Sequence, residues 1–372
     1  MKEKLLSLFK KIFLIANYLF AGALIIAFCA HWINPDVFWI PALFGLLFPV
    51  FFIINAGFLI FWLFIEQKRI FISGVAMVFS MTFGSKFLKL SNVVNEYPKH
   101  ESIKIMSYNT KVLGMFSWKY GPVYAEDILN FVKDEDPDIA CFQEYYRLRW
   151  KNKEYKYPGF IKFNAFEDKH YTHFDFTNPK PSGYSVAIFS KFPIINKGEI
   201  EFNEAPNNLC IYADVKIKED TFRIYNMHLA SIKFGNEQYK FINDLSENKE
   251  TEFIEGSEKI IALLKKGFVK RARQVLKVCE HIKQSPFKVI VCGDFNDTPA
   301  SFAYHQIIKS RMLKDAFEVS GNGLGITYNG KLPMLRIDYI LHDRSLKSFN
   351  FKTHHQVKFS DHFPITTIIE NK

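Results

Sequence analysis

At six places in this chain an apolar run leads to a side chain that can bind a cation or move a proton. IKIMSYN delivers Asn109, PDIACFQE delivers Glu144, FRIYNMH delivers His228, VIVCGDFN delivers Asp294 and Asn296, RIDYIL carries Asp338, and SDH supplies Asp361 and His362. A polar residue ending one strand is ordinarily a cap or a turn residue, and each of these taken alone reads that way. Six in succession, all carboxylate, amide or imidazole, read instead as a site assembled where strands end, the usual place for a site in α/β folds. Carboxylate and amide oxygens without cysteine are hard donors, matched to Mg²⁺ or Mn²⁺ rather than to zinc or copper. Such ions steady phosphoryl oxygens and an attacking water. Imidazoles and asparagines add a base or orienter for that water and donors for developing negative charge. These residue types in this pattern point to chemistry at a phosphate ester.

Such a set needs strands to hold it, and short apolar strands alternate with amphipathic helices from about Glu101 onward. Ile103–Asn109, Ile139–Glu144, Tyr184–Ser190, Phe222–His228, Val289–Asp294 and Ile337–His342 are predicted strands, several rich in β-branched or aromatic residues. Val123–Lys133 and Val269–Gln284 are predicted helices, and the polar, charged stretch Lys233–Lys266 reads as an insertion between two strands. No internal repeat or low-complexity tract is present.

The first ninety-odd residues are of another kind. Phe13–Trp32 and Phe38–Ile65 are long apolar stretches without Lys, Arg or Glu in their apolar cores, and Ile70–Leu88 is a third, weaker one. Each meets or approaches the roughly 20 residues a bilayer crossing needs. Pro41 and Pro49 fall inside the second stretch, where a membrane helix tolerates them if neighbouring helices satisfy the freed carbonyls. A cleaved signal peptide is the alternative for the first stretch, but no small-x-small site follows it and another long apolar run does. The expected division is a membrane anchor over residues 1–94, with two to three spans, and a catalytic domain over 95–372. Lys2, Lys4, Lys10, Lys11 and the Lys68–Arg69 pair mark two cytoplasmic faces, and the His31–Val37 turn carries no Lys or Arg. Three spans then place the domain outside the cytoplasm; two would place it inside.

The 372 residues are 48% hydrophobic and 17% aromatic, which excludes a disordered chain. Of the formal charge of +10, residues 1–94 carry half, so the remaining 278 residues are only mildly basic and neither demand nor exclude an anionic partner. Cys29, Cys141, Cys210, Cys279 and Cys292 form no CxxC pair, which argues against structural zinc and against a disulfide framework.

Three ordered motifs, GDFND at Gly293–Asp297, RIDYIL at Arg336–Leu341 and SDHFPI at Ser360–Ile365, resemble those of the endonuclease/exonuclease/phosphatase superfamily, over roughly Ile103–Ile369. That superfamily includes deoxyribonuclease I, abasic-site endonucleases, neutral sphingomyelinases and inositol polyphosphate phosphatases. The resemblance implies a four-layer α/β/β/α sandwich, here preceded by the helical transmembrane region. It implies Glu144 as the principal metal ligand with Asn109 beside it and Asp361 as a second acid at the metal. Asp294 would orient or deprotonate the attacking water, Asn296 would hold a phosphoryl oxygen, His362 would touch the phosphate with Asp338 as its carboxylate partner, and His228 would be the second histidine of the deoxyribonuclease and sphingomyelinase branches. The inositol phosphatase branch usually shows GDLNYR and a CDR-containing strand, where this chain has GDFNDT and RIDYI.

Other residues have plainer readings beside their functional ones. Thr327 and Tyr328 could contact phosphate or pair with a strand; Ser190 reads as a turn residue rather than a nucleophile; Lys270, Arg271 and Arg273 read as a solvated basic helix start rather than an anion site; Tyr145–Tyr146 reads as core rather than a base-stacking platform. The expectation is a membrane-anchored Mg²⁺- or Mn²⁺-dependent phosphodiesterase, acting on nucleic acid or a phospholipid head group by in-line attack of activated water. The alternatives are a phosphomonoesterase acting on a phosphorylated lipid or sugar, and a non-catalytic membrane receptor for a phosphorylated ligand. The lipid bilayer is the one expected partner besides substrate; no protein partner is inferable.

Overall fold

The strands that carry the acids are enclosed on both faces: every residue of Asp338–His342, and all but the first of Lys288–Asp294, is buried. A sheet covered on both sides has no solvated face, which is why these strands read as continuous apolar runs and not as alternations. The computed structural model describes residues 2–90, 98–114, 121–147, 158–176, 183–202, 208–232, 250–330 and 335–371.

Strands in chain order are β1 (Leu88–Lys89), β2 (Ser102–Asn109), β3 (Ile139–Arg147), β4 (Tyr171–Phe176), β5 (Gly183–Ser190), β6 (Ile194–Glu201), β7 (Leu209–Ile217), β8 (Asp220–His228), β9 (Lys288–Asp294), β10 (Lys314–Asp315), β11 (Gly323–Leu324), β12 (Asp338–His342), β13 (Leu346–Thr353) and β14 (Ile365–Asn371). Two six-stranded mixed sheets form, one in the order β10-β12-β9-β8-β7-β6 and the other β13-β14-β2-β3-β5-β4. One parallel pair sits in each, β8 with β9 and β2 with β3. Ile105, Ile139, Ile188, Ile211, Ile224 and Ile290 fill the space between the sheets. Helices Glu250–Lys283 and Phe302–Arg311 cover the outer face of the first sheet, and Gly121–Glu135 and Pro158–Glu167 cover the second. The result is the four-layer α/β/β/α sandwich.

Ahead of it stand helices α1 (Lys2–Cys29), α2 (Ile40–Leu46), α3 (Phe48–Ile65), α4 (Ile70–Ser80) and α5 (Gly84–Phe87). Three helical stretches, Lys4–Trp32, Phe48–Ile65 and Gln67–Phe87, are long and apolar enough to cross a membrane. The second apolar stretch of the sequence is not one helix: it breaks at Leu47, and Pro41 and Pro49 each lie in the first turn of a new helix. At a helix start the N–H that proline lacks would have no intrahelical acceptor, so neither proline costs its helix a hydrogen bond. Inside the bundle Asn17 donates to Ser73 Oγ (2.6 Å), Ser73 donates to Asn55 Oδ1 (2.9 Å), Trp62 Nε1 donates to Asn17 Oδ1 (2.9 Å), and Asn55 Nδ2 donates to the carbonyls of Phe20 and Phe51. This network ties α1, α3 and α4 together through buried polar side chains.

The bundle rests directly on the sandwich. Ala300 joins Ala27 and Phe48 in one apolar cluster. A Cβ on Gly45 would stand 2.9 Å from Ala30 Cβ and 3.2 Å from the Ala300 carbonyl, so only glycine admits this approach. Arg336 donates to the Lys86 carbonyl (2.8 Å), Ser85 to Glu318 (2.7 Å), and Arg273 makes two bonds to Asp36. Strand β1 pairs antiparallel with β11.

Two expectations are corrected. The helix expected to begin at Val269 begins at Glu250, because the charged stretch before it continues the same helical pattern. The basic cluster is not a helix start and is only partly solvated: it lies inside the helix, Arg271 is buried and bonded to Asp297 and the Ala230 carbonyl, and Arg273 is exposed and pairs with Asp36 at the surface. Residues 233–249 of the expected insertion lie outside the described residues; 250–266 belong to the long helix.

Candidate active site

Asp294 is placed by strand pairing before anything else. It ends β9 with His228 of β8 opposite on one side and Asp338 of β12 opposite on the other. Gly293 before it has φ +148°, and a Cβ there would lie 2.1 Å from the Met227 carbonyl, so a glycine is required for β8 and β9 to converge at this point. After Asp294 the chain turns through Asn296 in the left-handed region (φ 52°), which Asn tolerates better than most residues. Asp294 Oδ1 accepts from the Asn296 N–H (2.8 Å) and Oδ2 accepts from Asn109 Nδ2 (3.0 Å). His228 Nε2 and His362 Nε2 each stand 3.7 Å from Asp294 Oδ2. Burial pushes the Asp294 carboxyl up to about 6, against the pull of His362 and His228.

His362 Nδ1 is 2.9 Å from Asp338 Oδ2 and 3.1 Å from Oδ1. Asp338 is itself fixed by Thr327, whose hydroxyl accepts from the N–H groups of both Ile337 and Asp338 at 3.0 Å. Tyr328 pairs with His362 as an isolated β-bridge, with its ring edge-on at 5.1 Å. Burial alone would lower His362, but the carboxylates of Asp338 and Asp294 outweigh it and raise the imidazole to about 10. The two carboxylates favour the protonated ring, whose Nδ1 faces Asp338 and whose Nε2 faces Asp294.

Glu144 arrives by a bulge. The register of β3 against β5 slips between Phe142 and Tyr145, and Glu144 takes φ 49°. A non-glycine residue held there costs about 1–2 kcal/mol, a strain typical of functional sites, and the bulge turns a strand residue out of the sheet's alternation. Glu144 Oε1 lies 3.7 Å from His228 Nε2. Burial pushes its carboxyl above the ordinary range by more than His362 and Asn109 pull it down. Asp361 is bonded to Lys111 Nζ (2.8 Å), and burial, which would raise its carboxyl, is outweighed by His362 and Lys111, which lower it. Ser360 Oγ reaches the Asn109 carbonyl (2.8 Å), joining the SDH turn to the end of β2.

All eight expected site residues thus come together at one end of the sandwich. Donor atoms of Asp294, Asp338 and His362 lie within 4.8 Å of one another, though Asp338 is already committed to His362. Four carboxyl groups, those of Glu144, Asp294, Asp338 and Asp361, gather about His228, His362 and Lys111, so acids outnumber bases. Buried oxygen donors of this kind, with acids in the majority, fit a hard divalent cation.

Sequence reasoning missed Lys111, which lies two residues past Asn109 in a run with Val112 and Leu113 that is left-handed throughout (φ 46°, 58° and 53°). It also missed the buried pair Gln143 and Asn226, which bridges the two sheets beneath the site at 2.7 Å. Gln143 adjoins Glu144 in β3 and Asn226 lies two residues before His228 in β8, so for this pair adjacency was the available signal; Lys111 offered none. Thr327 and Tyr328 act through strand-end bonding to Asp338 and His362, Ser190 closes a turn with Phe192, and Tyr145 is packed against Phe163, Phe174 and Phe189.

Residues 106–362 match the model of a family described as Endonuclease/Exonuclease/phosphatase, and residues 10–87 match a domain of unknown function. No curated protein matches the sequence. Among solved structures, an endonuclease/exonuclease/phosphatase family protein from Bacteroides thetaiotaomicron is 18% identical, over 74% of this chain and 97% of that one, with TM-score 0.53. A mannosyl-6-phosphatase from the same organism is 18% identical, over 72% and 99%, with TM-score 0.51. The catalytic domain of human Nocturnin, with a bound sulfate anion, is 17% identical, over 74% and 97%, with TM-score 0.50. At these identities the likeness is one of fold.

Proposed function

The chain belongs to the endonuclease/exonuclease/phosphatase family, and from that premise we propose that it is a divalent-metal-dependent phosphodiesterase anchored in a membrane by its N-terminal helices. The observation that carries this reading is Asp294: one buried carboxylate oxygen held by Asn109 and within 3.7 Å of two imidazoles. In this reading Asp294 orients a water and takes its proton. The water oxygen attacks phosphorus in line, and the bond to the leaving oxygen breaks on the far side. His362, kept protonated and aimed by Asp338, donates to a phosphoryl oxygen; His228 and Asn296 offer further donors there. Glu144, Asn109 and Asp361 would hold the cation, Mg²⁺ or Mn²⁺, which when bound supplies positive charge against the phosphoryl oxygens.

The full chain in detergent with Mg²⁺ should hydrolyse bis-p-nitrophenyl phosphate, and Asp294→Ala should lower kcat by about 10³-fold or more. Equal rates in wild type and variant reject the reading; faster turnover of p-nitrophenyl phosphate replaces the diesterase with a monoesterase. Metal-dependent thermal stabilisation without turnover of any phosphoester would leave a receptor. The bundle end that carries Lys68 and Arg69 is opposite the end that meets the sandwich, which supports a domain outside the cytoplasm. An inactive alkaline phosphatase fused after Leu88 would reverse that sidedness.

A further inference from the structure

No spacer separates the membrane helices from the site. The third span ends at Phe87, and the next residue, Leu88, is already paired with Leu324. The Phe87 carbonyl accepts from the Gly325 N–H at 3.1 Å, and three residues on Tyr328 meets His362. Three residues reach at most about 11 Å, so His362 stands within about 20 Å of the span's end whatever the direction. A second tether starts from the other side of the site. Ala300, packed with Ala27 and Phe48 of the first two spans, is four residues from Asn296, a reach of at most about 14 Å. The headgroup layer outside the hydrocarbon is itself roughly 5–7 Å deep on each side. A headgroup phosphate at the bilayer surface therefore lies within a short reach of a site held this close to the ends of the spans.

The β1–β11 ribbon adds an independent observation. Leu88 (42% exposed) and Leu324 (49%) lie opposite each other, with Leu90 (83%) just beyond. These side chains continue the apolar surface of the third span onto the catalytic domain, along the segment that leads to Thr327 and Tyr328. Exposed leucines continuous with a membrane span fit the headgroup–acyl boundary as their occupant.

We propose that the site acts on a phosphoester borne by the membrane in which the bundle sits, a lipid head-group phosphate presented sideways from the bilayer surface, with Leu88, Leu90 and Leu324 bedding the domain into that surface. This rests on the phosphoester-hydrolase reading above and narrows its substrate class.

Two esters with one leaving group test it. The full chain in phosphatidylcholine nanodiscs with Mg²⁺ is given either methyl p-nitrophenyl phosphate, which stays in water, or hexadecyl p-nitrophenyl phosphate, which enters the disc. The embedded ester should turn over severalfold faster, at a rate set by its surface fraction and not its bulk concentration. Leu324→Asp should lower the ratio of embedded to soluble rate severalfold, a ratio in which any loss of folded protein cancels. Equal rates, a ratio unmoved by Leu324→Asp, or faster cleavage of a single-stranded DNA oligonucleotide overturns the proposal while leaving a phosphodiesterase. Failure to cleave either ester or the oligonucleotide overturns the phosphodiesterase reading itself.

Discussion

Two buried polar clusters in this molecule are built on opposite rules. The one within the N-terminal helical bundle, Asn17, Asn55, Trp62 and Ser73, is neutral, and its side chains pair with one another or with carbonyls in a closed set. The one at the strand ends is charged, carries more acid than base, and is held on backbone in the left-handed region at Glu144 and Asn296. A closed neutral network has no capacity left for a ligand and acts as glue between helices. A strained cluster with excess charge keeps its capacity open for one. Burial is common to both, so burial of polar groups by itself does not identify a site.

The contrast breaks first at Asp338. Asp338→Asn keeps the shape of the pair but removes the charge that holds His362 protonated, and kcat should fall about 10²–10⁴-fold with the thermal midpoint little changed. A loss under threefold would make the pair structural, like the network of the helical bundle. Asn55→Leu probes the other cluster. It strips Ser73 of its acceptor and should destabilise the detergent-solubilised chain by roughly 1–2 kcal/mol without changing the turnover of the folded fraction. A changed kcat per folded molecule would give the bundle network a catalytic role. His354 is intermediate, buried and titratable but outside the site, bonded to Thr366 and 3.5 Å from Glu135. Burial lowers its imidazole to about 4, so the unfolded chain takes up a proton below its ordinary pKa near 6.5 that the folded chain refuses. Stability should decline as pH falls from about 6.5 toward 4, and His354→Gln should flatten that slope in thermal melts; an unchanged slope would assign the acid loss elsewhere.

Sequence reasoning reached the strand-end acids because each closes an apolar run, and a run buried on both faces is easy to see. The outer strands were harder. Ile194–Glu201 is half solvated and Leu346–Thr353 carries a register shift, so neither offers a clean period. Lys111 was invisible for a related reason: its importance comes from an ion pair with a residue 250 positions away, made from a left-handed turn that no local pattern announces. The break at Leu47 was likewise hidden, since hydropathy is uniform across it while the two prolines mark where helices begin. Nothing in the composition of the N-terminal helices foretold that they touch the loops beside the candidate site, because Ala300, Gly45 and Lys86 take part through a methyl group, a missing side chain and a carbonyl.

The bond from Arg336 to the Lys86 carbonyl spans 250 residues, and its consequence lies in the order of events during synthesis. The N-terminal helices leave the ribosome first, while the rest of the chain is still being made. Ser85 waits for Glu318, Lys86 for Arg336, and Leu88 for Leu324, all from the last fifth of the polypeptide. A nascent chain stalled before Glu318 would have its helices made and their seam with the sandwich still open; Glu318, Leu324 and Arg336 would close that seam in turn, and only the later arrival of Asp361 and His362 would complete the strand-end cluster.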